Sequence, residues 1–228
     1  ETDYVVGLPL SSGGSGDTSI MTGLGVYMGM KYCAKEAWGK ESLTGKTVAL
    51  QGFGKVATYT AHHLMKEDAK LVVTDVFDDA LDRARDMGLT VVKPDDIYRV
   101  DCDIFAPCAL GGVLNTETIP QLKCKVVAGG ANNQLLSATD GEELHRLGIV
   151  YGPDYILNSG GIINAEAEIG RAYNSDRARE KTERIYETMD RVIAISKAEE
   201  ITTAEAADRL AEDRLKSVRG IRKIYRSN

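Results

Sequence analysis

Residues 47–58 read TVALQGFGKVAT, and this stretch decides the fold. An apolar, β-branched run from Thr47 to Gln51 meets Gly52, Phe53 and Gly54, then passes into a helical pattern from Lys55 to Lys66. Glycine-x-glycine-x-x-alanine at a strand-to-helix junction suits a phosphate. Gly52 makes the tight turn, Gly54 lets the backbone approach a pyrophosphate, and Ala57 lets the helix pack closely on the strand. The helix start adds N–H donors and the positive end of a dipole.

The next apolar run ends at Asp75, 23 residues after Gly52, where a carboxylate can accept hydrogen bonds from the hydroxyls of an adenosine ribose. The plainer reading of Asp75 is a strand-end turn residue or a cap for the following helix. Val76, Phe77, Asp78 and Asp79 come next, and no Arg or Lys precedes Arg83. A 2′-phosphate would meet carboxylates there, so NAD is expected over NADP.

From Lys46 to Tyr151 short β-branched runs alternate with helical ones. The strands are expected at Thr47 to Gln51, Lys70 to Asp75, Leu89 to Val92, Asp103 to Ala106, Lys125 to Ala128 and Ile149 to Tyr151. Helices are expected at Lys55 to Lys66, Asp78 to Met87 and Thr139 to Leu147. Runs this apolar are buried on both faces, and the intervening helices are the crossovers a parallel sheet needs. The expected architecture is α/β, a doubly wound, Rossmann-type, mostly parallel sheet with a C-terminal helical appendage.

Three segments follow: 1–16, a stump ending in the hinge-like tract SSGGSG; 17–165, the dinucleotide-binding domain; and 166–228, the helical appendage. The Gly/Ser tract is expected to be too flexible for regular structure. An amphipathic helix is expected from Asp17, Thr18 and Ser19 to about Ala37, stopping at Gly39. Past Ser159 the tail reads as helices over Gly160 to Tyr173, Ser175 to Ala198 and Thr202 to Val218. Ile185, Met189, Val192 and Ile193 fall at helical spacing, and Thr202 with Glu205 has capping-box spacing.

The 28 Lys and Arg against 34 Asp and Glu give a net charge of -6 without a basic block, which argues against nucleic acid or an anionic membrane as partner. The apolar runs are too short to span a bilayer. Cys33, Cys102, Cys108 and Cys124 form no CxxC pair and have no His at ligand spacing, so no metal site is expected. Free, apolar-flanked thiols suit a reducing, cytoplasmic compartment.

At this point the residues resemble a known family, the glutamate, leucine, phenylalanine and valine dehydrogenases, and within it the cofactor-binding half of the leucine enzymes. The matching segments are TGLGVYMGMKYCAKEAWG (22–39), LTGKTVALQGFGKVA (43–57), APCALGG (106–112), TIPQLKCKVVAGGANNQL (118–135) and GIVYGPDYILNSGGIIN (148–164). The resemblance implies NAD-dependent oxidative deamination of an L-amino acid to a 2-oxo acid and ammonia, in an enzyme that forms homo-oligomers. It implies that Gly52, Phe53, Gly54, Lys55, Val56, Ala57 and Thr58 hold the pyrophosphate, and Asp75 with Val76 the adenosine ribose. Cys108 and Ala109 would line the adenine side. Gly130, Ala131 and Asn132 would approach the nicotinamide ribose, and Asn158 the nicotinamide or substrate end, with Thr22 and Asn132 near the reacting atoms. By spacing alone, Asn132 and Asn133 read equally well as a turn pair.

The substrate side chain would meet Ile162 and Ala165, where leucine enzymes carry valine, so leucine is favoured among aliphatic amino acids. Without the resemblance these two read as core positions of an amphipathic helix. The family's two catalytic lysines and an aspartate belong to an N-terminal domain expected to precede Glu1, so no catalytic residue is assigned in this chain, and an apolar patch is expected on the tail. Lys31 and Lys35 do not match those lysines and read as a solvated face. The alternatives are a non-catalytic NAD-binding module or scaffold, and, more remotely, another doubly wound class such as a methyltransferase.

Overall fold

The computed structural model describes residues 5–170 and 172–225. Residues 1–4 of the expected stump, position 171 of the expected helix after Gly160, and residues 226–228 of the tail lie outside the described residues. Six strands, β1 (Thr47–Gln51), β2 (Lys70–Thr74), β3 (Thr90–Val91), β4 (Ile104–Pro107), β5 (Val126–Val127) and β6 (Val150–Tyr151), form one parallel sheet in the order β3-β2-β1-β4-β5-β6. The chain winds outward one way through β2 and β3 and the other way through β4 to β6. A crevice therefore opens at the carboxyl ends of β1 and β4, the place where such sheets receive ligands.

Alternation along β1 explains the two-sided core. Val48 and Leu50 face one side, Ala49 the other, and all are buried. The first side is covered by α1 (Ser19–Trp38), α2 (Lys55–Lys66) and α8 (Ile185–Glu199), through Val26, Met30, Ala57, Leu64, Met189 and Val192. The second side packs Phe105 and Val127 against Ile97 and Leu144, the latter on α4 (Ala138–Arg146). Thr202 and Glu205 form their reciprocal cap at the start of α9 (Thr203–Tyr225), where the Thr202 N–H donates to the carboxylate at 2.9 Å.

The structure departs from the sequence pattern in four places. The start of α1 is not amphipathic: Met21 through Val26 are all buried, because α1 lies between α2, α6 (Gly160–Glu166) and α8. A Cβ on Gly29 would stand 2.4 Å from Leu157, so that crossing requires glycine. The expected helix from Gly160 ends at Glu166, and the expected helix from Ser175 to Ala198 is broken at Arg184 into α7 (Ser175–Glu183) and α8. No Gly or Pro marks that break. Ala178 of α7 packs with Met21 and Leu24, whereas Ile185, Met189 and Ile193 of α8 enter the main core. Finally, the Gly/Ser tract holds regular structure: Leu10–Ser12 form a 3-10 turn, and Gly14 and Ser15 are buried.

One carboxylate explains that order. Glu168 accepts the N–H groups of Gly7 (3.1 Å), Leu8 (3.4 Å) and Ser15 (2.7 Å). Desolvation opposes its ionisation, but these hydrogen bonds outweigh it and lower the Glu168 pKa below the usual carboxylate range. Of the two lysines expected on a solvated face, Lys35 is exposed as expected, whereas Lys31 is half-buried. Lys31 pairs with Glu67 at 3.1 Å, and Lys35 lies over the Tyr32 and Tyr186 rings. On α9, Leu215 and Val218 are exposed apolar residues. Among the described residues no helix is long and apolar enough to cross a membrane.

Candidate functional site

The glycine loop lies at the crevice. Gly52 has φ +96, and a Cβ there would stand 2.8 Å from the Ala109 nitrogen and 2.9 Å from its Cα, so both conformation and space demand glycine. Gly54 differs: a Cβ on it would meet no protein atom within 4 Å. It is the N-cap of α2 and has no side-chain cap, so open space lies in front of that helix end. The cradle fits a phosphate by shape and by polarity. Thr58, one turn into α2, donates its hydroxyl to the Gly54 carbonyl at 2.9 Å. Val56 packs on the main core, and Lys55, mostly exposed, pairs with Asp17 at 3.2 Å.

Two side chains fix the peptides on either side of Phe53. Asp75 Oδ2 accepts the Phe53 N–H at 2.6 Å, and Asp75 Oδ1 accepts the N–H groups of Val76 (2.7 Å) and Phe77 (3.0 Å). Arg83 donates to the Phe53 carbonyl at 2.8 Å and lies 5.9 Å from the Phe53 ring centroid. Asp75 thus performs the turn role that sequence allowed it, and it holds the glycine loop as well. A carboxylate has about four acceptor directions, so capacity for a ribose hydroxyl remains beside these three bonds. Sequence reasoning missed the role of Arg83, which comes to the loop because the first turn and a half of α3 (Asp78–Asp86) brings it back over Phe53. With its guanidinium on a backbone carbonyl, it is not a free phosphate clamp.

Asn158, Asn132, Gly130 and Cys108 come together on the second wall. Asn158 Nδ2 donates to Asn132 Oδ1 at 2.7 Å and approaches the Gly130 carbonyl at 3.4 Å. The Asn132 amide therefore reaches across to another element, whereas Asn133, at φ +52, is the turn residue. A Cβ on Gly130 would lie 2.9 Å from Val56 and 4.0 Å from Cys108 Sγ, which links this wall to the glycine loop. Cys108 and Ala109 consequently face different neighbours, Gly130 and Gly52 respectively. Burial pushes the Cys108 thiol up to about 11, so it is inert at neutral pH.

Ala131 is buried, and its carbonyl accepts the Gln134 side-chain amide at 3.0 Å. Asp154, at the start of α5 (Asp154–Leu157), accepts the Gln134 N–H at 2.8 Å and so ties this loop to the short helix that ends at Asn158. Its position after Pro153 at a helix start was the available signal. Thr22 donates to the Thr18 carbonyl at 2.9 Å, and its hydroxyl lies against Gly161. The core alternative for Ile162 and Ala165 divides: Ile162 is 68% exposed, while Ala165 is 8% exposed.

A doubly wound sheet with a glycine loop and a facing polar wall defines a dinucleotide-type α/β protein. The Glutamate/Leucine/Phenylalanine/Valine dehydrogenase family model matches residues 13–78 and 73–220, and the chain belongs to that family. It is similar to leucine dehydrogenase of Geobacillus stearothermophilus, 51% identical over 229 residues, covering 100% of this chain and 62% of the relative. It is also similar to L-tryptophan dehydrogenase of Nostoc punctiforme, 43% identical, covering 94% of this chain and 60% of the relative. The crystal structure of L-tryptophan dehydrogenase from Nostoc punctiforme superimposes with a TM-score of 0.83 at 42% identity, over 87% of this chain and 61% of the other. The chain thus spans about three fifths of the length of these relatives.

Proposed function

We propose that this chain is the NAD-binding part of an L-amino acid dehydrogenase, with residues 17–165 forming the dinucleotide unit and the following helices its appendage. The observation that carries the reading is the Phe53 segment, held by Asp75 on one peptide and Arg83 on the next, beside the open cap position of Gly54. The loop from Gly52 to Thr58 would hold the pyrophosphate on backbone amides. Asp75 would accept the ribose hydroxyls, with Val76 beside it, and Cys108 and Ala109 would border the adenine. Gly130, Ala131, Asn132 and Asn158 would orient the nicotinamide end, with Thr22 close by. NAD, when bound, would supply the hydride acceptor for the amino acid α-carbon, and the chain's own residues would position it.

Similarity to leucine dehydrogenases supports leucine, or another branched aliphatic amino acid, as substrate of the whole protein, with Ile162 and Ala165 against its side chain. The lysines that work on the amine in this family have no counterpart assigned in this chain, so alone it binds without turnover.

The test is a titration with NADH and NADPH followed by nicotinamide fluorescence, because the single Trp, Trp38, lies at the opposite edge of the sheet with Lys46 over its ring. Saturable NADH binding with weak NADPH binding, and no turnover of NAD with leucine, is the expected result. Binding of neither nucleotide overturns the proposal.

A further inference from the structure

The edge of the sheet opposite the crevice carries chemistry that dinucleotide binding does not use. Ile104 of β4 lies opposite Val126 of β5, and two residues before the start of each strand stand Cys102 and Cys124. The two chains still run side by side there, since the Lys125 N–H donates to the Asp103 carbonyl at 3.1 Å. Both cysteines are free, are 8% and 6% exposed, and belong to one packed cluster. Neighbouring strands lie about 4.8 Å apart, within the Cα separations of about 4.4–6.8 Å that a disulfide bridges. Cys102 lines a surface cavity of about 430 Å³ together with Trp38, Thr47, Asp103 and the two lysines that flank Cys124, Lys123 and Lys125. A small oxidant therefore has a way in to Cys102 and to the lysines on either side of Cys124.

The four thiols are not alike. A hydrogen bond from Cys102 lowers the Cys124 pKa against the effect of burial, and the backbone N–H groups of Phe105 and Val126 act in the same direction. Its partner Cys102 is pushed up by that same bond and by burial. Burial raises Cys33 to about 12 and Cys108 to about 11. Two free thiols at the same level of adjacent parallel segments, inside the separation a disulfide spans, have the arrangement of an attacking and a resolving cysteine.

We propose that Cys124 and Cys102 form a peroxide-oxidisable dithiol that closes to a disulfide across the starts of β5 and β4. The Cys124 thiolate attacks one oxygen of hydrogen peroxide, the O–O bond breaks, and hydroxide leaves and takes up the proton that Cys124 had released. The resulting sulfenic acid is attacked by the Cys102 sulfur; the S–S bond forms, the S–O bond breaks, and the leaving hydroxide takes the Cys102 proton. Two thiols and one peroxide give one disulfide and two waters, sulfur being oxidised and peroxide oxygen reduced.

The test treats the folded chain with a small excess of hydrogen peroxide, alkylates remaining thiols and maps non-reduced peptides. A glutamyl endopeptidase is suitable because Glu117 separates the two cysteines, whereas trypsin would cut on both sides of Cys124. The expected product is a single Cys102–Cys124 linkage, reversed by dithiothreitol, with Cys33 and Cys108 still reduced. In Cys102→Ser protein, Cys124 is expected to collect a dimedone-trapped sulfenic acid about tenfold or more faster than Cys33 or Cys108. The wild-type map stands by itself if that variant fails to fold. Cys102 and Cys124 remaining reduced in the folded chain, a linkage formed only in denaturant, or equal oxidation of all four cysteines overturns the proposal. NADH titration of the same sample is independent of this result.

Discussion

The two edges of one sheet are built on opposite principles. At the amino edge the polar groups close on each other: Lys46 pairs with Asp103 at 2.8 Å, the same carboxylate takes the Thr47 N–H at 2.9 Å, and the Lys46 ammonium rests 3.9 Å over the Trp38 ring. At the carboxyl edge Asp75 and Arg83 hold the loop from behind, and the front of Gly54 is left open. A stability site consumes its own hydrogen-bonding capacity, whereas a binding site uses side chains to orient backbone groups that remain available to a ligand.

The sharpest way to break this contrast is Gly52→Ala. The left-handed backbone and the 2.8 Å approach to Ala109 force the loop apart, with strain of about 1–3 kcal/mol. NADH affinity should fall about 100-fold by fluorescence titration, and an unchanged affinity would remove the loop from the site. Asp75→Ala leaves three N–H groups without their acceptor and, at about 1.5–3 kcal/mol for hydrogen bonds to a charged group, should weaken NADH by about 10- to 100-fold. Arg83→Ala should cost about fivefold in NADH, near 1 kcal/mol for one hydrogen bond made through an exposed side chain. NADPH titrated against the same variant checks that Arg83 serves the loop, because a phosphate clamp would lose NADPH selectively.

Asp103→Asn, at the closed edge, should leave NADH binding unchanged and lower thermal stability by about 1 kcal/mol. Its pH dependence sharpens the comparison. Burial opposes ionisation of Asp103, yet Lys46 and the Thr47 N–H lower its pKa below the usual carboxylate range. In the unfolded chain it regains the ordinary, higher value. Its contribution is therefore complete at neutral pH and is lost as pH falls through the ordinary carboxylate range to the depressed value. Acid-unfolding curves of Asp103→Asn should be flatter there than those of the parent.

The strands and crossovers were legible because their signals are local. Thr47–Gln51 and Lys55–Lys66 form at the expected bounds, since periodicity and the Gly52–Gly54 junction act within a few residues. The break at Arg184 was not legible, because it comes from α7 and α8 packing into different clusters. The Gly/Ser tract read as loose because the carboxylate that orders it lies some 153 residues away at Glu168. In the site, Gly52, Gly54 and Asp75 announce themselves by spacing. Arg83 and Asp154 act through backbone carbonyls and N–H groups on other elements, and no motif records that.

The doubly held Phe53 segment has a consequence for rates. A loop whose peptides are fixed before any ligand arrives has little conformational freedom left to lose on association, and no closing step of its own. Nucleotide capture should then be a single fast phase in stopped flow, with its rate proportional to concentration, and differences between nucleotides should appear in how quickly each one leaves.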